Sequence, residues 1–163
     1  MTVRDIRVFG DPVLRTVCDP VVPGDPKTLA LVRDLIDTVQ LPGRAGVAAN
    51  QIGVGLRAFS YNVDGRIGAI CNPELVATDG ELEMMSEGCL SVPGLSFDTP
   101  RYPWAKVRGI TAEGEEIELE GEDLFAEMLQ HECQHLDGIL YIMTLEKETR
   151  RRAMHAVRES DWY

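Results

Sequence analysis

The chain has 163 residues, 44% of them hydrophobic, and a formal net charge of -11. This length and composition are typical of one globular domain with its own core, so we expect residues 1–163 to form a single domain. The acidic excess disfavours binding to DNA by general electrostatic attraction. No stretch approaches the ~18 apolar residues of a membrane span, no signal peptide is visible, and the four cysteines show no pairing pattern. We therefore expect a cytoplasmic protein with no membrane partner.

The helical spacing of apolar residues predicts three helices, over residues 26–40, 123–137 and 146–159. Pro26 suits a first helical turn, and Gly138 is a natural stop after the second helix. The third helix lies at the C-terminus.

Between the first two helices, the chain is β-prone. Short apolar runs cover residues 56–63, 67–71, 74–83, 105–111 and 116–119. Asp64-Gly65 separates the first two runs, which is a hairpin signal. Strands in the middle and helices near both ends predict an α+β fold. We expect small antiparallel or mixed sheets packed around the second helix.

The second predicted helix contains the pattern H-E-x-x-H at residues 131–135. His131 and His135 lie four residues apart, on one helical face, where two imidazoles can bind a single ion. Glu132 lies about 100° around the axis and can reach a water on that ion without being a ligand. Cys133 points to the opposite face, where we expect it in the core.

Two histidines do not complete a catalytic metal site, which usually has three protein ligands. Downstream, no acidic or histidine side chain stands at the spacing known from zinc endopeptidases of the H-E-x-x-H type. Upstream, Cys89 stands in a glycine-containing stretch that reads as a loop, and a thiolate is a good soft ligand beside imidazoles. From these residues alone, a zinc endopeptidase remains the alternative.

Three segments of the chain form an ordered set of motifs. They read Gly-Val-Ala-Ala-Asn-Gln-Ile-Gly at 46–53, Glu-Gly-Cys-Leu-Ser at 87–91 and Gln-His-Glu-Cys-Gln-His-Leu-Asp-Gly at 130–138. Taken together, they resemble the motifs of peptide deformylases. The stretch 8–15 is also similar to the start of that family. The resemblance implies removal of the formyl group from the N-terminal formylmethionine of new proteins. It also implies one divalent transition-metal ion, Fe(II) in cells, which Zn, Ni or Co can replace in preparations.

The resemblance also assigns roles to residues. It implies metal ligation by Cys89, His131 and His135. Glu132 would be the general base and acid, while Gln51 and the backbone N–H of Leu90 would bind the formyl oxygen. Gly46 and Val47 would lie in the loop whose backbone pairs with the substrate peptide. Leu124 and Met128 stand on the same helical face as the two histidines, where they either contact a bound methionine side chain or belong to the core. The resemblance, in which this helix borders the methionine pocket, favours the contact. A non-catalytic relative would be expected to lack Glu132 or Gln51, and both are present.

The sequence departs from the family pattern at a few positions. Arg44 stands where a glycine is common, Asn50 replaces proline or threonine, and Cys133-Gln134 replace an apolar residue and an aspartate. None of these is a proposed ligand or donor. Only the shape of the binding loop is affected, at Arg44.

Two kinds of partner are expected. The first is the N-formylmethionyl nascent chain. The second is the ribosome, through the C-terminal helix, whose Arg150-Arg151-Arg152 run interrupts the acidic character of the chain. A solvated helix face with local Glu–Arg pairs is the alternative reading of that run.

Overall fold

A computed structural model describes residues 2–163 as three α-helices and seven strands. The helices are α1 (Pro26–Val39), α2 (Asp123–Leu136) and α3 (Lys147–Arg158). The strands are β1 (Gly46–Ala48), β2 (Ala58–Val63), β3 (Arg66–Asp79), β4 (Glu83–Cys89), β5 (Val92–Arg101), β6 (Trp104–Ile110) and β7 (Glu116–Glu122). Within the described range, no helix combines the length and apolar character needed to cross a membrane.

The strands form two antiparallel sheets. Five of them form one sheet in the order β1-β2-β3-β6-β7, and β4 pairs with β5 in a separate two-stranded sheet. The prediction of an α+β fold with small sheets around the second helix is confirmed.

The first three strands of the large sheet lie between α1 and α2. Ala58 belongs to the cluster of buried side chains that includes Leu35 of α1. Its neighbour Phe59 points to the other face, into the cluster that includes Leu129 of α2. Because both faces are covered here, consecutive residues are buried rather than every second one.

The predicted helices are confirmed to within one residue at each end. The side chain of Asp25 caps α1 by accepting a hydrogen bond of 2.8 Å from the backbone N–H of Lys27. After α2, Gly138 adopts a φ of 77° and packs so close to Arg15 that a Cβ would lie 2.9 Å from its backbone carbonyl carbon. A glycine is therefore required at this stop.

The predicted hairpin at Asp64-Gly65 is confirmed. Both residues have positive φ, at 50° and 82°, as a two-residue turn between twisted strands requires. The boundary after that hairpin was predicted wrongly, because residues 67–71 and 74–83 do not form separate runs. Residues 67–71 and 74–79 share one long strand, β3, in which the pairing register with β6 shifts between Cys71 and Glu74. The second predicted run ends at Asp79, and Glu83 begins β4.

The surroundings of Cys89 also differ from the prediction. Instead of a loop, Cys89 is the last residue of β4, and the chain turns through Leu90 and Ser91 into β5. The register shifts between Gly88 and Cys89, which lifts the cysteine out of regular pairing. A strand end thus holds the thiol, and a strand end is more rigid than a loop.

Candidate metal centre

Three side-chain atoms that could bind a metal ion come together beneath a cavity in the surface. They belong to two elements, α2 and β4. The Nε2 atoms of His131 and His135 are 3.1 Å apart, and the Sγ of Cys89 lies 3.3 Å from the second of them. All three ligand atoms lie within 4.8 Å of one another. Both histidines come from one face of α2, as their spacing predicted, and the cysteine comes from the end of β4.

Glu87 orients the first histidine. Its Oε2 accepts a hydrogen bond of 2.5 Å from Nδ1 of His131, which leaves the Nε2 lone pair directed at the other ligands. Arg101 holds this carboxylate from the other side, through Nε to Oε1 at 2.7 Å and Nη2 to Oε2 at 2.6 Å. The sequence analysis missed both residues, although Glu87 opens the second motif.

Burial and nearby charges shift the pKa values of the two histidines in opposite directions. Burial lowers the pKa of His135 well below its usual value, and the positive charges of His131 and Arg101 add to this. Burial also lowers the pKa of His131, but Cys89, Glu132 and the hydrogen bond to Glu87 outweigh it and raise that pKa well above its usual value. A bound metal ion would replace the proton that His131 otherwise takes up.

Glu132 lies beside the ligands without joining them. Its Oε2 is 3.9 Å from Nε2 of His131, and its buried Oε1 has no hydrogen-bond partner within residues 2–163. Burial raises the pKa of this carboxyl to about 7. Gly46 makes room for it, because a Cβ there would lie 2.7 Å from Oε2 of Glu132. A carboxyl with a pKa near neutrality is well placed to exchange protons.

Gln51 points its amide nitrogen toward the same centre. Its Oε1 accepts a hydrogen bond of 2.9 Å from the backbone N–H of Ala48, which fixes the orientation of the amide. The Nε2 then lies 3.0 Å from Oγ of Ser91 and 3.6 Å from Sγ of Cys89. Next to it, Asn50 donates a 2.5 Å hydrogen bond to the carbonyl of His135, so the turn at Ala49–Ile52 is tied to α2.

A cavity of about 550 Å³ opens above these groups. The predicted site residues that line it are Gly46, Gln51, Cys89, Leu90, Leu124, Met128, His131 and Glu132. His135 is fully buried behind them. Leu124 stands half-exposed at the rim, and Met128 is buried deeper in the wall.

Val47, like His135, is a predicted site residue that does not line the cavity. Its side chain is fully buried in the cluster with Leu35 of α1, on the opposite face of the sheet from α2. Its strand β1 is the edge strand of the sheet and pairs with β2 alone among the described strands. Only the backbone of Val47 is therefore left for a substrate, and its side chain belongs to the core.

Besides Glu87, two further charged residues in the cavity wall were not predicted as site residues. Arg44 donates a hydrogen bond of 3.0 Å from Nη1 to the carbonyl of Thr38, so its head lies near the end of α1. Glu127 lies one turn before His131 and has no hydrogen bond or ion pair among residues 2–163. Burial raises the pKa of Glu127 to about 7, and the charge of Glu87 adds to this.

The donor set fits a transition-metal ion. One thiol sulfur and two imidazole nitrogens converge from rigid elements, and the cavity leaves the remaining side open for a water or a substrate. Cys133, by contrast, is buried in the core as predicted, and burial raises the pKa of its thiol to about 12. It is therefore not a fourth ligand.

Comparisons with known proteins identify the family of the chain. The profile of the polypeptide deformylase family matches residues 3–151. A peptide deformylase of Acidothermus cellulolyticus is 49% identical over 99% of this chain and 89% of its own length, and one of a Parafrankia species is 48% identical over the same shares.

Solved structures show the same likeness. The crystal structure of a peptide deformylase from Legionella pneumophila superposes with a TM-score of 0.89 at 34% identity, over 97% of this chain and 95% of that one. The peptide deformylase from Thermus thermophilus gives a TM-score of 0.88 at 36% identity, with the same coverage. The chain belongs to the polypeptide deformylase family.

Proposed function

We propose that Cys89, His131 and His135 hold one divalent transition-metal ion in the activity of this family, removal of the formyl group from N-terminal formylmethionine with release of formate. The observation that carries the proposal is the convergence of one sulfur and two nitrogen atoms beside an unpartnered carboxyl. A zinc endopeptidase is not favoured, because the third ligand atom comes from upstream, at Cys89.

The chain's own groups account for the proton movements. When bound, the ion would act as a Lewis acid that lowers the pKa of water, to about 7 in well-studied zinc sites. Glu132 accepts a proton from the attacking water and returns it to the departing amine. Burial raises the pKa of this carboxyl to about 7 in the absence of the ion, which favours a carboxyl that can hold the proton between the two steps.

Two hydrogen-bond donors would stabilise the negative charge that develops on the formyl oxygen. We assign these roles to Nε2 of Gln51, which is held by Ala48, and to the backbone N–H of Leu90. Losing one such donor typically costs ~10²–10³ in rate. Gly46 and Val47 contribute the free backbone edge of β1, along which an extended peptide can add a strand.

The experiment that tests this function measures formate release from formyl-Met-Ala-Ser together with the metal content of the same sample. We expect about one ion per chain and turnover well above background. Glu132→Gln should keep the ion and lose at least ~10² in turnover, while Cys89→Ala should lose much of the ion itself. Near-native turnover in Glu132→Gln would contradict the role of Glu132 as the base.

The finer identity of the ion is part of the proposal. We assign Fe(II) as the ion in cells, with Zn, Ni or Co as substitutes. A ferrous site with a thiolate ligand is open to oxidation at both the iron and the sulfur. The iron form should therefore lose activity in air, and the nickel form should keep it. Equal lifetimes of the two forms in air would refute this assignment.

We also propose where the protein acts and that it contacts the ribosome. We assign the activity to the cytoplasm, on nascent chains as they leave the ribosome. Arg150, Arg151 and Arg152 are all exposed on α3, and arginine suits phosphate groups. A variant with all three changed to glutamate should sediment with ribosomes less than wild type at low salt. Identical sedimentation would leave α3 as a solvated surface helix.

A further inference from the structure

Two glutamines of α2, one helical turn apart, bind the residues at which β5 ends. Gln130 pairs with the backbone of Tyr102, accepting from its N–H at 3.0 Å and donating to its carbonyl at 2.9 Å. Gln134 instead accepts a hydrogen bond of 2.8 Å from Nη1 of Arg101. Gln134 is one of the departures from the family pattern, and the mechanism above gives it no role.

The hydrogen bond between Gln134 and Arg101 is the outermost of a series of linked hydrogen bonds that ends at His131, a proposed metal ligand. Arg101 uses Nη1 for Gln134 and both Nε and Nη2 for Glu87, so each of its three nitrogens has a partner. Glu87 in turn accepts the Nδ1–H of His131. Because a guanidinium is planar and rigid, fixing Nη1 also fixes the plane in which the other two nitrogens meet the carboxylate.

We propose that Gln134 is a positioning residue for the metal centre, because its amide oxygen fixes the Arg101 guanidinium and, through Glu87, the ring of His131. The inference rests on metal binding by His131, which belongs to the proposed function, and not on the formyl substrate. Gln134 touches neither the ligands' metal-facing atoms nor the substrate cavity.

A second cavity explains why the amide oxygen of Gln134 matters as the acceptor for Nη1 of Arg101. It measures about 540 Å³ and is lined by both Arg101 and Gln134, so it meets the outer end of the chain of bonds. With the amide oxygen removed, Nη1 of Arg101 would face this space. Water there is a mobile acceptor and cannot define the guanidinium plane as a fixed amide does.

The test measures how fast a chelator removes Co²⁺ from the loaded full-length protein. Gln134→Met keeps the volume and removes the acceptor, and we expect loss of the ion to be roughly 10-fold faster, the lower end of the range for groups behind metal ligands. Gln134→Glu keeps an oxygen at the same reach and should restore the wild-type rate to within about twofold.

Gln130→Met is the matched control on the same helix. It removes three hydrogen bonds rather than one, two to the backbone of Tyr102 and one to the carbonyl of Ala126, and none of them involves the Arg101 side chain. We expect it to lower the melting temperature and leave the rate of ion loss unchanged. The absorption bands of bound Co²⁺ should shift in Gln134→Met and stay the same in Gln130→Met. Equal acceleration in the two variants, or none in Gln134→Met, would overturn the proposal.

A second variant keeps the proposal testable if Gln134→Met does not fold. Arg101→Lys keeps the positive charge and removes the fork, so it should also speed ion loss, and a wild-type rate would count against the proposal. Turnover is a separate readout: kcat should fall severalfold in Gln134→Met, with KM unchanged. If wild type binds Co²⁺ but releases no formate, the proposed function fails, while the chelator comparison still decides the role of Gln134.

Discussion

Two arginine–glutamate pairs lie in opposite settings in this molecule. Arg101 and Glu87 meet at 2.6 Å beside the metal ligands, with side chains 3% and 1% exposed. Arg151 and Glu148 meet at 3.4 Å on α3, with side chains 67% and 78% exposed. The buried pair depends on its hydrogen bonds because loss of one partner leaves a charge in the interior without compensation, and this fixed geometry makes it useful for orienting His131. The exposed pair is optional, and its members remain free to meet an outside partner.

Breaking the buried pair should have the largest effect. Arg101→Met removes the positive charge and leaves Glu87 buried with His131 as its remaining charged partner. We expect the free energy of unfolding to fall by about 3–5 kcal/mol, measured by urea denaturation. The double variant Arg101→Met/Glu87→Met should recover part of that loss, since the Glu87 carboxylate is no longer buried without Arg101, while Nδ1–H of His131 loses its acceptor. A loss below about 1 kcal/mol in the single variant would contradict the comparison.

The buried pair of Arg101 and Glu87 also shows which part of the site could not be predicted from the sequence. His131 and His135 were predictable because helical spacing alone puts them on one face. Arg101 was not, because its partner lies 14 residues away across the hairpin of β4 and β5, which the sequence analysis took in part for a loop. An arginine in an unrecognised strand reads as a surface residue.

The direction of the Val47 side chain could not be predicted for a different physical reason. Val47 and Ala48 are both fully buried, one facing α1 and the other α2. A strand covered on both faces has no alternation of polar and apolar residues, so nothing in its sequence says which side chain faces the site. The side chain of Val47 could be assigned to the core only once both helices were located.

The degree of burial should also determine how strongly a substitution at the proposed methionine pocket changes stability. Met128 is 3% exposed and Leu124 is 49% exposed, although both line the same cavity. Met128→Trp should cost about 1–3 kcal/mol in stability through overpacking, whereas Leu124→Trp should cost little. Both should lower kcat/KM for formyl-Met peptides more than for a formyl-Ala peptide. An unchanged ratio between the two substrates would return both residues to a purely structural role.

Glu127 is intermediate between the two pairs, since it is partly buried and has no partner in the described chain. Its pKa is raised to about 7, by burial first, with Glu87 adding to the shift and His131 and Arg101 opposing it. Between pH 4.5 and 7 the folded protein keeps a proton that the unfolded chain releases, so stability falls as pH rises through this window.

Glu127→Gln should remove this pH dependence. We expect no gain over wild type near pH 4.5 and a gain of roughly 1 kcal/mol above pH 7, less than a fully buried group would give because the side chain is partly exposed. Urea denaturation at both pH values measures it. An equal difference between the two proteins at both pH values would show that Glu127 has an ordinary pKa.

The exposed pair should give the smallest effect. Arg151→Gln removes the contact with Glu148, and we expect the free energy of unfolding to change by about 0–0.5 kcal/mol, because both side chains are hydrated and the attraction is screened. Arg150→Gln, next to it and outside that ion pair, is the matched control and should behave the same. A loss above about 1 kcal/mol in Arg151→Gln alone would mean that the surface pair is structural after all. The expected result has a further use: if these arginines can be changed without cost to the fold, weaker sedimentation of the triple glutamate variant with ribosomes reports lost binding and not a damaged protein.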